Sequence, residues 1–153
     1  MKRLIFIALF ALALPLSAQG AEGLITKESA HDVSETLDRL EALAEERDLQ
    51  VIERLDHAGA AEQAGESLAP TELLLFGNPA AGTPFMHCAR TVAIDLPMKA
   101  LAWEDEAGTV RLAYNDPGYL AERHGVEDCE VVEQMGQVLE ELTERAVGDK
   151  ELP

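Results

Sequence analysis

Basic residues are scarce in this chain: 12 Lys and Arg stand against 29 Asp and Glu, a formal charge of −17. That balance repels nucleic acid and anionic membranes and excludes both as partners held by charge. Only one long apolar run exists, Leu4 to Leu14, and it is well short of the roughly 20 residues a membrane-spanning helix needs. Membrane insertion of the mature chain is therefore not expected. Cysteine is limited to Cys88 and Cys129; neither stands directly after the apolar run, which argues against a lipid anchor. Internal repeats, low-complexity stretches and a GxSxG nucleophile elbow are all missing.

What is present begins with Lys2 and Arg3, then the apolar run, Pro15 and the small residues Ser17, Ala18 and Gly20. This is the order of a cleavable secretory signal, assigned here to residues 1–20, with cleavage after Gly20 placing small Ala18 at the −3 position. The mature protein is thus expected in the periplasm or outside the cell. Removing two basic residues leaves 10 against 29 acidic ones, a charge of −19. About 130 residues remain, enough for one domain with one core, set at residues 21–147 with a loose tail over 148–153. In an oxidising compartment Cys88 and Cys129 could bridge, but sequence supplies no Cα separation and leaves the free-thiol state open. Acids at 127, 128 and 130 surround Cys129 and oppose a reactive thiolate.

Periodicity orders the elements as β-α-β-α-β-α-β-β-α-α, an α+β domain of two layers in which helices cover a mixed sheet of about five strands. A first strand is expected near Gly23–Lys27. A helix should follow from a Ser29 cap, with Val33, Leu37, Leu40 and Ala44 on one stripe. Leu49 to Leu55 and Leu73 to Phe76 read as strands, the second buried on both faces. Thr83 before Pro84 is a cap-plus-proline start for a short helix, and Asp116 before Pro117 is another, ending at Gly125. Between them Met98–Glu104 and Thr109–Asn115 form a hairpin. The last helix, about Cys129–Ala146, carries Val132, Met135, Leu139 and Leu142 on one side.

Three segments, FGNPAAGTPFM from Phe76, IDLPMKALAWED from Ile94 and RLAYNDPGYLAERHG from Arg111, occur in this order and spacing. Together they resemble the family called domain of unknown function 302, over roughly Gly23 to Gly125. The resemblance implies a compact α+β domain, commonly a homodimer, with no settled biochemical activity. Its signature positions fall on Asn78, Pro79, Gly82, Thr83 and Pro84, on Leu96, Pro97, Lys99 and Trp103, and on Tyr114, Asn115, Asp116, Pro117 and His124. Asp48 stands where glycine more usually ends the first helix.

Polar groups at the ends of apolar strands mark Asn78, Lys99, Asn115, Asp116 and His124 as candidate ligand-binding residues. All but Asn78 have a plainer reading. Lys99 can lay its stem on a strand face with its ammonium in water, Asn115 and Asp116 suit a turn and a cap, and an imidazolium at His124 suits a helix C-terminus. As an alternative, Lys99 and His124 could serve an enzyme or redox accessory protein, but no nucleophile pairs with His124 by spacing. Met86, His87 and Cys88 are soft or borderline donors that invite a metal-handling role. On a helix, however, successive residues point about 100° apart and cannot all face one ion. The reading is a non-catalytic homodimeric module without cofactor, binding a small molecule or a protein partner.

Overall fold

The computed structural model describes residues 21–152, so the expected export signal lies outside the described residues. In chain order the elements are β1 (Leu24–Glu28), α1 (Val33–Glu45), β2 (Gln50–Asp56), α2 (His57–Gln63), β3 (Thr71–Gly77) and α3 (Pro79–Cys88). A 3-10 turn (Arg90–Ile94), β4 (Met98–Glu104), β5 (Val110–Asn115), α4 (Pro117–His124) and α5 (Val131–Val147) complete the domain. The five strands form one sheet in the order β1-β5-β4-β3-β2, an α+β fold.

Every strand pair is antiparallel, which corrects the expected mixed sheet. Parallel neighbours need a crossover running back along the sheet. Here the connections through α2 and α3 leave and rejoin the sheet at the same end, so strand direction reverses each time.

Two helix starts also differ from expectation. At α1 the cap is Asp32, whose Oδ1 accepts from the Glu35 amide at 2.8 Å, while the Ser29 hydroxyl lies 2.6 Å from that of Thr36. A carboxylate complements the positive end of a helix better than a hydroxyl does. α3 begins five residues earlier than Pro84, because Asn78 and Pro79 supply the same cap-plus-proline signal. Asn78 Oδ1 accepts from the Ala80 amide at 2.7 Å, and Pro84 falls inside the helix.

The core lies between one sheet face and α1 and α5. Leu37, Leu40 and Leu43 of α1, Leu142 of α5, and Leu74 and Phe76 of β3 are almost fully buried there, each worth about 1.5–3 kcal/mol of transfer free energy. β3 is buried on this face only, since Leu73 and Leu75 are half-buried on the other. A bulge between Val51 and Glu53 keeps Val51 opposite Phe76 and leaves Ile52 56% exposed.

Both outer strands turn a cation toward the helical layer. On β1, Lys27 pairs with Glu140 and Glu144 of α5 at 2.7 and 2.9 Å. On β2, Arg54 pairs with Asp38 of α1 and with Glu72, both at 2.6 Å. Arg39 donates to the carbonyls of Ala146, Gly148 and Lys150, which ties the segment after α5 to α1 where a loose tail was expected.

Candidate functional site

The small residues of α3 line a concavity. Ala80, Ala81 and Gly82 line a cleft of about 740 Å³ between α3, α5 and the adjoining ends of β2 and β3, a volume in the range of small-molecule sites. A Cβ at Gly82 would lie 3.3 Å from Leu96 Cδ1, so glycine lets α3 settle close to that side chain. The bulge on β2 adds Ile52 to one wall, a common use of bulges beside sites. From α5 come Val131, Met135 and Val138. Met86, Met98 and Met135, all the methionines of the described residues, line this one cleft.

Polar groups at the cleft are few: Arg47, Gln50, Asn78, Thr83 and Gln134. Two are already engaged, Arg47 with the Glu141 carboxylate and Asn78 with the Ala80 amide and the Asp48 carbonyl. Gln50, Thr83 and Gln134 complete the polar part of its wall. Such a surface favours an apolar guest, and unbranched thioethers adapt to its shape.

Of the five candidate residues, only Asn78 lines the cleft. Lys99 and His124 meet instead at Asp95. His124 Nε2 lies 2.7 Å from Asp95 Oδ2 and its Nδ1 2.9 Å from Thr91 Oγ1, while Arg123 donates to Asp95 Oδ1 at 2.9 Å. Lys99 donates to the carbonyls of Asp95 and Pro97, each at 2.9 Å. With both ring nitrogens occupied and its side chain 8% exposed, His124 is poorly placed to exchange protons with a substrate. Asn115 ends β5, and Asp116 caps α4 by accepting from the Gly118 amide at 2.9 Å.

Met86 borders the cleft, whereas His87 is exposed at the end of α3. Among the described residues no group of three His, Cys, Asp or Glu could hold a metal. Cys88 and Cys129 are joined as a disulfide, linking the end of α3 to the approach to α5.

A separate polar cluster sits beneath α5. Tyr114 donates to Glu140 at 2.9 Å, and Lys27 holds the other carboxylate oxygen. The hydrogen bond from Lys27, then that from Tyr114, hold the Glu140 carboxyl below its ordinary range. Burial, reinforced by Glu140, pushes the Tyr114 hydroxyl well above its own.

A family model described as "Domain of unknown function DUF302" matches residues 25–142. The chain belongs to the DUF302 family. A solved DUF302 structure, an uncharacterized conserved protein from Bacillus stearothermophilus, superposes with a TM-score of 0.75. It covers 82% of this chain and 99% of its own, and at 19% identity the likeness shows the fold. Two curated relatives carry the name fluoride-specific ion channel FluC 1. The one from Brucella suis biovar 1 (strain 1330) is 43% identical over 137 residues, covering 88% of this chain and 54% of the relative. The one from Brucella abortus biovar 1 (strain 9-941) is also 43% identical over 137 residues, covering 88% and 51%. This DUF302 chain spans about half the length of the curated relatives it matches. Among the described residues no helix is long and apolar enough to cross a membrane.

Sequence reading missed the cleft itself and the Thr91–Asp95–Arg123 surround of His124. The Ala-Ala-Gly run of α3 was the available signal, since three small residues in a row on a helix leave room beside it. Nothing in the local sequence marks Thr91 or Asp95, which reach His124 across about thirty positions.

Proposed function

We propose that this DUF302 protein is an exported, homodimeric, non-catalytic binding module that takes an apolar small molecule, or an apolar side chain of a protein partner, into the cleft between α3 and α5. The single observation that carries the reading is the convergence of Met86, Met98 and Met135 with the small residues of α3 on one cleft of about 740 Å³. Export is supported by the Lys2, Arg3 and Leu4–Leu14 pattern and by a Cys88–Cys129 bridge that suits an oxidising compartment. The homodimer is supported by half-buried apolar side chains on the sheet face away from the helices.

The test is binding of an environment-sensitive apolar dye to the folded protein, with Ala81→Trp as the filling variant. Saturable binding that Ala81→Trp abolishes without lowering the melting temperature is the expected result. Binding that survives Ala81→Trp places the guest elsewhere.

A second reading rests on the curated relatives, in which a region like this one makes up about half of a chain named as a fluoride-specific ion channel. On that reading the domain docks beside a membrane transport protein. Co-purification with a fluoride channel after cross-linking in cells supports it, and recovery of the protein free of any channel counts against it.

A further inference from the structure

The sheet has a second face. Leu55, Leu73, Leu75, Leu101 and Trp103 alternate with the core residues of β2, β3 and β4 and lie outside the core cluster. Leu55 is 40% exposed, and the other four are half-buried by their neighbours along the sheet. A contiguous apolar face of this kind is a site of association.

We propose that a second copy of this chain docks on this face, about a two-fold axis running along β3, with Glu53 of each copy opposite Lys99 of the other. The proposal rests on the homodimer reading above and names its surface and register. At a charge of −17 two copies repel over most approaches. Contact is favoured only where acids are few or are met by cations.

On this face the register supplies such a match. Glu53 pairs with Leu75 from one side and Lys99 pairs with it from the other, so an acid and a base flank the same leucine. Among the described residues neither side chain takes part in a salt bridge. The Lys99 ammonium uses two of its three donors on the carbonyls of Asp95 and Pro97 and keeps one to give.

A rotation of 180° about β3 exchanges β2 with β4. It sets Leu75 on Leu75, Leu55 on Leu101, and Glu53 on Lys99 twice over. An axis along β4 would instead stack Lys99 on its own copy, where like charges repel. Face-to-face sheets pack about 10 Å apart at a shallow angle, within reach of these side chains.

Light scattering and sedimentation equilibrium test the face, with melting curves confirming that each variant is folded. Glu53 is exposed, so Glu53→Lys should fold as the wild type does. It is expected to weaken the dimer by about tenfold or more, because two repulsive pairs replace two attractive ones. Mixing Glu53→Lys with Lys99→Glu should restore association as a heterodimer. Leu75→Cys gives a readout that does not depend on charge: facing sheets stand too far apart for a direct disulfide, but a short bifunctional maleimide should join it to its counterpart. A wild-type protein that stays monomeric at tens of micromolar overturns the homodimer reading. A wild-type dimer that Glu53→Lys leaves unchanged and Leu75→Cys fails to cross-link overturns this face alone.

Discussion

His124 Nε2 sits 2.7 Å from Asp95 Oδ2, which locks the end of α4 to the residue just after the 3-10 turn. Lys99 binds the carbonyl of the same Asp95, so one aspartate gathers three separate elements. His124→Ala would leave the Thr91 hydroxyl and one Asp95 oxygen without this partner. The expected cost is about 1–3 kcal/mol, read as a fall of several degrees in melting temperature. Dye binding in the cleft should be unaffected, because His124 is not among its walls. Unchanged stability with lost binding would instead place His124 at the ligand.

Asp48 holds φ at 57°, in the left-handed region, directly after the first helix. Glycine adopts this conformation without the penalty an L side chain meets. Asp48→Gly should therefore raise stability by a few tenths to about 1 kcal/mol. Urea denaturation of the pair measures it, and a loss of stability would mean the Asp48 side chain makes a contact that outweighs its backbone conformation.

Reduction of the Cys88–Cys129 bridge opens a loop of 41 residues in sequence separation. The expected loss is about 2–4 kcal/mol. Melting curves with and without reductant check it, alongside thiol titration of the native protein. Two titratable thiols without reductant would show the bridge absent.

Glu140, depressed by Lys27 and Tyr114, stabilises the fold above the ordinary carboxylate value of about 4.3, and that contribution is lost as pH falls through its lower folded value. Tyr114, raised by burial and by Glu140, contributes below about 10, and its share is lost as pH rises beyond that. For Lys27 burial acts to lower the value, but hydrogen bonds to Glu140 and Glu144 outweigh it, so it too contributes a loss on the alkaline side. Stability against pH should thus be a plateau with a limb at each end. Tyr114→Phe should flatten the alkaline limb while leaving Lys27's part of it. An alkaline limb of wild-type steepness in that variant would remove Tyr114 from the account.

Much of the fold was legible because its signals are local. The stripe of Val33, Leu37 and Leu40, the alternation of Met98, Ala100 and Ala102, and the cap-proline pair Asp116–Pro117 each fix an element within a few residues. Strand direction was not legible, since it depends on where α2 and α3 lie in space. Competition between neighbours also misled: Ser29 and Thr83 are good caps, but Asp32 and Asn78 serve as the caps of α1 and α3. The candidate polar residues were singled out for their position near strand ends, and that position is also where caps and carbonyl ties belong. The cleft joins Ile52, Ala81 and Val138 from three distant stretches, and no periodicity within one stretch can show such a meeting.

Both margins of the sheet end in a clasped cation, Lys27 under α5 and Arg54 under α1. A foreign strand seeking to extend the sheet would have to lie against a strand whose buried-side charge is already held by carboxylates from the helical layer. Charged residues turned inward on edge strands discourage such addition. Growth by strand addition is therefore blocked at either border, and this protein should resist forming fibrils even in concentrated solution.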